Sequence, residues 1–213
     1  TPPGLSVSKP TVVGTTTATT KGNLLSFDGS TNPTITLYYG TSDGNQTPSN
    51  WNGTSSPVSL STKPVGPLDH NLTGLTAGTT YYYRYFATTT ISGTAYSSFS
   101  DLGTFTTLGL PQIETPGATE ITKTSAKLNA KLTFTNGNDS NVTFYWGYNN
   151  GSNNGNHNQW DKPLASSTNQ GVGVVGQSIS GLSTGTTYYY TAKAVNAQGT
   201  AWATVKTFVT ANT

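Results

Sequence analysis

The residues able to perform acid-base or metal chemistry are few and scattered. Eight carboxylates (Asp28, Asp43, Asp69, Asp101, Glu114, Glu120, Asp139 and Asp161) and two histidines, His70 and His157, are spread over 213 residues. A hydrolase needs two carboxylates held together, or a nucleophile served by a base and an orienting partner. No two of these acids are spaced as a dyad. His70 directly follows Asp69, and His157 lies in the Asn-rich run NNGSNNGNHN, so both read as solvated loop residues lacking a third group. No catalytic residues are expected, and the chain is read as a non-enzyme.

Two loops rich in side-chain oxygens, SDGN at 42–45 and NNGSNNGNHN at 149–158, raise the question of calcium. Calcium takes several carboxylates, and Asp43 is the single acid in the two stretches. Asn and Gly also tolerate left-handed turn geometry, so these loops are read as turns, with no metal and no cofactor.

Sequons of the form Asn-x-Ser/Thr occur at Asn45, Asn52, Asn71, Asn138, Asn141 and Asn150. With nineteen Asn and Ser plus Thr near 30% of the chain, chance alone supplies about six such matches. Their number is uninformative; their position is less so, because five of the six fall in or beside expected turns. N-linked glycans are one reading of these sites, and plain turn residues the other. Aromatic rings are the last chemical resource. Tyr82, Phe86 and Tyr189 are expected on an outer sheet face, with Trp51 and Trp160 in matching loops. Such rings stack on sugar faces or are buried by a loop or neighbour; the recurrence of the pattern favours burial.

The elements that carry these residues are β-strands. Gly (24 residues), Pro (11) and a Thr at about one position in five fit short strands between frequent turns, and no window holds a helical apolar period for three turns. Charged residues make up 8% of the chain against about 25% in ordinary soluble domains. Solubility must come from Thr, Ser, Asn and Gly, a habit of proteins outside the cell. The net charge of +2 without a basic run gives no footprint for nucleic acid or an anionic membrane. With no Cys, neither disulfides nor thiolate chemistry are available, and stability must come from packing and hydrogen bonds. The chain contains no Met and begins Thr-Pro-Pro, which suggests a processed secreted chain without its signal peptide, or a piece of a longer one. No apolar stretch approaches the ~18 residues of a membrane span.

GLTAGTTYYYRY at 74–85 recurs as GLSTGTTYYYTA at 181–192. Superposing the chain on itself aligns Gly40 with Gly147, Gly74 with Gly181, Leu75 with Leu182 and Tyr81 with Tyr188. TITLYYG then falls on the VTFYWG run, and SGTAYSSFSDLGTFTT on QGTAWATVKTFVT with a short deletion. Two modules follow, 1–108 and 109–213, meeting in TTLGLP. Turn signals divide each into about seven strands. In the first these are 6–8, 15–25, 34–40, 58–60, 69–72, 80–88 and 102–107. In the second they are 112–115, 125–133, 141–148, a piece near Trp160, 172–180, 187–195 and 200–210. Alternation along a strand puts Tyr81, Tyr83 and Tyr85 on one face, and Tyr188 with Tyr190 likewise. Arg84 and Lys193 then mark the opposite, wet face.

The Leu-x-x-x-x-x-Tyr spacing of Leu75 with Tyr81 and of Leu182 with Tyr188 resembles the tyrosine corner of fibronectin type III modules. The resemblance covers essentially the whole chain twice. It implies an all-β fold of two tandem seven-stranded immunoglobulin-like sandwiches, with each Tyr ring buried and its hydroxyl bonded to nearby backbone. The YYG or YWG strand, a Trp some ten residues later and a terminal TFTT are similar to arrays in large prokaryotic surface proteins. The Trp usual on the family's second strand is replaced, with Leu25 and Leu128 about where it should stand.

Joining the end of one copy to the start of another, FVTANT to TPPGLSVSKP, imitates the internal junction. The expectation is therefore an extracellular structural protein, a filament or stalk subunit whose partner is itself, head to tail, or neighbouring modules. An N-terminal strand offering Leu5, Val7, Val12 and Val13 could dock into the next subunit by strand addition, although each module holds its own full strand set. The rival expectation is an adhesin or carbohydrate-binding module of a larger secreted protein.

Overall fold

The computed structural model describes residues 1–11, 13–136, 139–152 and 155–212. Two compact units, Thr1–Leu108 and Gly109–Thr213, divide the chain. Among the described residues, the regular structure is all strand apart from one 3-10 turn, Pro48–Asn50.

In the first unit the strands are β1 (Gly4–Ser8), β2 (Ala18–Ser26), β3 (Thr34–Gly40), β4 (Val58–Thr62), β5 (Gly66–Pro67), β6 (His70–Leu72), β7 (Thr80–Ile91), β8 (Thr94–Phe99) and β9 (Gly103–Thr106). One sheet runs β1-β2 with β5 and β6 both on the far side of β2; the other runs β4-β3-β7 with β8 and β9 both on the far side of β7. All pairings are antiparallel. Counting β5/β6 and β8/β9 as interrupted single paths, this is a seven-stranded sandwich with three paths facing four.

The second unit repeats that order with β10 (Gln112–Glu114), β11 (Ser125–Phe134), β12 (Ser140–Gly147), β13 (Lys162–Pro163), β14 (Ser167–Gln170), β15 (Gly173–Ser180), β16 (Thr187–Asn196), β17 (Gly199–Trp202) and β18 (Lys206–Val209). Its sheets are β10-β11-β15, and β12-β16 flanked by β13 and β14 on one side and β17 and β18 on the other. Even the irregularity in the first strand pair recurs, at Gly4/Leu5 and at Gln112/Ile113.

The core of each unit is made by period-two alternation. Ile35, Leu37 and Tyr39 on β3 and Tyr81, Tyr83, Tyr85 and Ala87 on β7 face inward, against Ala18 and Leu24 on β2. In the second unit Val142, Phe144 and Trp146 join Tyr188, Tyr190, Ala192 and Ala194 against Ala126, Leu128, Ala130 and Leu132. Aligning the first strand pairs at their shared irregularity puts Leu24 opposite Leu5 and Leu132 opposite Ile113. Gly22 then corresponds to Ala130, and Thr20 to Leu128. The substitutions on β2 and β7 are coordinated. Tyr85 fits because Gly22 leaves its ring room: a Cβ at Gly22 would collide with the ring edge. Its phenol donates to Thr20 Oγ1 at 2.9 Å. At the matching places the second unit has Ala192, Ala130 and Leu128, all buried.

Several expectations need correction. Leu25 does not take the core place on the second strand: it is 56% exposed, and Leu24 points inward instead. The piece expected near Trp160 forms at Lys162–Pro163. The last strand of the second unit is broken into β17 and β18. The hairpin β7–β8, closing through Ser92 and Gly93 with φ of 49° and 82°, has no counterpart among the expected strands; two successive positive φ values give the primed turn that suits twisted hairpins. The face marked by Arg84 and Lys193 is not wet: the Arg84 side chain is 14% exposed, and Thr191 is fully buried with its hydroxyl donating to Ala203 O at 2.7 Å.

Candidate functional site

The repeated GLxxGTTYYY stretch builds the same hydrogen-bonded clasp in both units. Gly74 (φ 68°) and Gly78 (φ 60°) adopt left-handed backbone, as do Gly181 (φ 73°) and Gly185 (φ 57°), which is why glycine stands at both turning points of the loop. Between them the backbone of Leu75 donates to Thr16 O at 3.0 Å, and that of Leu182 to Thr124 O at 3.0 Å. The Tyr81 hydroxyl accepts from Thr76 N–H at 3.0 Å, and that of Tyr188 from Ser183 N–H at 2.9 Å. Leu75, Tyr81, Leu182 and Tyr188 are all buried.

Two residues missed in the sequence complete the clasp. Thr107 Oγ1 accepts from Thr79 N–H at 2.9 Å and donates to Thr76 O at 2.6 Å. Thr210 Oγ1 accepts from Thr186 N–H at 2.9 Å and donates to Ser183 O at 2.6 Å. Both threonines are buried. Thr79 and Thr186 in turn donate to Ala77 O and Thr184 O. Phe105 stacks on Tyr81 at 5.6 Å and Phe208 on Tyr188 at 5.5 Å. The readable signal is the doubled ending, TFTT and TFVT. The clasp bonds a loop to the residue that follows the last strand of each unit, Thr107 after β9 and Thr210 after β18.

Deeper in the strand, Tyr83 donates to Ser8 O at 2.7 Å and Tyr190 to Asn129 O at 3.2 Å. Burial pushes the phenols of Tyr83, Tyr85 and Tyr190 above the ordinary tyrosine range, because a phenolate there would be stripped of water.

The outer face of β3 and β7 is roofed by the loop joining β3 to β4. Trp51, 7% exposed, lies 6.4 Å from Tyr38, its indole seated on Gly44, where a Cβ would fall 2.7 Å from the ring. Phe86 and Phe99 pack at 4.4 Å. Beneath this roof Arg84 donates through Nη2 and Nε to the Asp43 carboxylate at 3.2 and 3.4 Å, and through Nη1 to Ser100 O at 2.9 Å. Asp43 also accepts from Asn45 N–H at 2.8 Å, so its oxygens are engaged. In the second unit Trp160 sits on Gly151 in the same way, and a Cβ there would fall 2.5 Å from the indole. His157 stacks on Trp202 at 4.1 Å, and Lys193 lies over Tyr145 and Trp202 at 5.3 and 5.6 Å. Burial holds His157 below the ordinary histidine range, and burial followed by the Lys63 charge does so for His70. Among the described residues no three His, Cys, Asp or Glu side chains gather as a metal site.

The sequon asparagines Asn45, Asn52, Asn71, Asn141 and Asn150 are exposed; Asn138 lies outside the described residues. Asn71 and Asn141 stand within β6 and β12 rather than in turns. Asn52 is engaged at both ends, its Oδ1 accepting from Thr41 N–H at 2.9 Å and its Nδ2 donating to Thr41 Oγ1 at 3.1 Å. The N-terminal segment is laid into its own sheet: Leu5 opposes Leu24, Val7 opposes Gly22 and Val13 bridges Ala18. Leu5, Val7 and Val13 pack against the core of their own unit, and Val12 lies outside the described residues. In the first unit β2 brings three of these near one another: Thr19 pairs with the sequon Asn71, Ala18 bridges Val13, and Thr16, just before β2, accepts from the clasp residue Leu75.

No family model and no curated protein matches the chain. Among solved structures, a short form of the sensor domain of the anti-sigma factor RsgI4 from Pseudobacteroides cellulosolvens is 21% identical, covering 52% of this chain and 98% of its own, with a TM-score of 0.36. The FN1-FN3 domains of chicken CNTN1 are 13% identical, covering 99% of this chain and 66% of their own, with a TM-score of 0.47. The fold itself rests on the strand order: the chain is two fibronectin type III-like, immunoglobulin-like β-sandwiches in tandem.

Proposed function

We propose that the chain is an extracellular structural protein, a subunit of a surface filament or stalk made by head-to-tail association of β-sandwich modules. The observation that carries this reading is the duplicated clasp: Leu75, Tyr81 and Thr107 in one unit, and Leu182, Tyr188 and Thr210 in the other, are buried and spent on closing each sandwich. A module closed by hydrogen bonds, without disulfides and with few charges, suits repeated use outside the cell. The Trp51 and Trp160 rings, seated on Gly44 and Gly151, support a scaffold role over sugar stacking. Any glycans on the exposed sequons belong to this reading as a surface coat.

Electron microscopy of the concentrated chain, and of the surface from which it comes, tests the proposal. Filaments or stalks with a module-length repeat are expected. A dispersed monomer whose tryptophan fluorescence shifts on adding oligosaccharides would instead support a carbohydrate-binding module.

A further inference from the structure

The three-path sheet of each sandwich ends in an edge strand, and the two units treat that edge differently. In the first unit the edge is short and broken: β5 and β6 hold two and three residues. Pro64 and Pro67, which have no N–H to offer, stand before and within β5, and Asp69 is ion-paired to Lys21 on β2 at 2.5 Å. These are devices that stop a sheet from adding further strands. The corresponding β15 has none of them. It is eight residues long, GVVGQSIS, without proline or charge, and pairs with β11 along its full length. Val174 stands 68% exposed on it, and Val172, just before it, is 66% exposed.

We propose that β15 is an interaction edge that pairs antiparallel with β15 of a second copy of this chain. The choice of occupant comes from the strand's own chemistry. An antiparallel partner must supply main-chain donors and acceptors together with small or β-branched side chains, and β15 offers these to itself. The nearest charges of its sheet are settled within the sheet: Lys127 pairs with Glu120 and Lys131 with Glu114, at 3.3 and 3.4 Å. A two-fold axis through the middle of β15 therefore brings no like charges together, and it joins two three-path sheets into one continuous sheet. Such a contact is isologous and closes at two copies, so it is separate from head-to-tail growth and does not depend on it. A single strand pair buries less than the roughly 1,000 Å² typical of stable interfaces. The pairing is accordingly weak for free chains and gains strength where many copies are held together.

Sedimentation equilibrium of the intact chain over a wide concentration range tests this, alongside Val174→Lys, Ser178→Lys and a control, Leu25→Lys, on the first unit. The expected result is a monomer-dimer equilibrium in the wild type and the control that both β15 variants weaken at least tenfold. Circular dichroism should show all four proteins equally folded, since each site is exposed. A second reading uses the cysteine-free background: Val174→Cys and Ser178→Cys chains, mixed and oxidised, should cross-link faster than either chain mixed with Leu25→Cys. A wild-type chain that stays monomeric throughout overturns the proposal, as does association that survives both lysine variants or cross-linking no faster than the control. Growth beyond two copies that the lysine variants leave unchanged also overturns it and points to head-to-tail contacts.

Discussion

Tyr81 and Thr107 hold opposite ends of one residue: the phenol accepts the N–H of Thr76 while the threonine hydroxyl donates to the C=O of Thr76. Tyr188 and Thr210 grip Ser183 in the same way. The loop between them has two left-handed glycines, a conformation that on its own would leave backbone groups unpaired. The clasp satisfies those groups with side chains brought from two different strands.

Removing the threonine hydroxyl should therefore cost more than losing one bond. In Thr107→Val the Thr76 C=O and Thr79 N–H both lose the partner that the buried Thr107 hydroxyl gives them, and together this should cost about 1–3 kcal/mol. For a domain of this size, 1 kcal/mol lowers Tm by roughly 4–8 °C. Thermal unfolding should show Thr107→Val strongly destabilised and Thr107→Ser near wild type. Equal behaviour of the two variants would show that packing, not the hydroxyl, is what matters.

Gly22 and Tyr85 should prove coupled. Gly22→Ala forces a methyl into the Tyr85 ring and should cost about 1–3 kcal/mol; Tyr85→Ala opens a cavity and should cost about 3–5 kcal/mol. The double variant recreates the Ala130 and Ala192 arrangement of the second unit. Its cost should fall short of the sum by about 0.5–3 kcal/mol in a denaturant double-mutant cycle, and strict additivity would refute the coordinated-substitution reading.

These pairs also mark what could be read in advance. Leu75 and Tyr81 lie six residues apart, so their relation is local and legible, and the alternation of Tyr81, Tyr83 and Tyr85 follows from strand geometry alone. Thr107 reaches the same loop from a distant strand, and a buried hydroxyl leaves no mark in an apolar pattern. Leu24 and Leu25 are adjacent and equally apolar, so composition cannot say which faces inward; the strand register decides. Arg84 departs from expectation for a third reason. Strand parity gives its face correctly, but its burial depends on a loop folded over that face, with Trp51 seated on Gly44.

The Arg84–Asp43 pair should matter where a more exposed ion pair such as Lys131–Glu114 does not. Its side chains are 14% and 26% exposed, against 49% and 57% for Lys131 and Glu114. Asp43→Asn leaves a covered guanidinium without its charged partner and should cost about 1–3 kcal/mol. Glu114→Gln should fall within about 0.5 kcal/mol of wild type. Urea unfolding at low and high salt separates the two, the first effect persisting in salt. A neutral Asp43→Asn would mean that the loop roof is held by Trp51 alone.

Alkali should open the first unit before the second. Tyr83 and Tyr85 in the first unit, and Tyr190 in the second, have pKa values raised by burial above the ordinary 10.0. Above that pH the unfolded chain releases phenol protons that the native core retains, so the native state binds more protons and stability falls as pH rises. Their contribution is complete below pH 10 and is lost as pH climbs toward the native pKa values. Two such groups in one unit against one in the other make the loss steeper in the first. Trp51 is the sole tryptophan of residues 1–108, so a variant with Trp146, Trp160 and Trp202 replaced by Phe reports that unit alone. Its fluorescence transition should come at lower pH than that of the complementary Trp51→Phe chain, and Tyr85→Phe should move it upward. A second unit that opens first, or a transition indifferent to Tyr85→Phe, would rule out buried phenol ionisation as the cause.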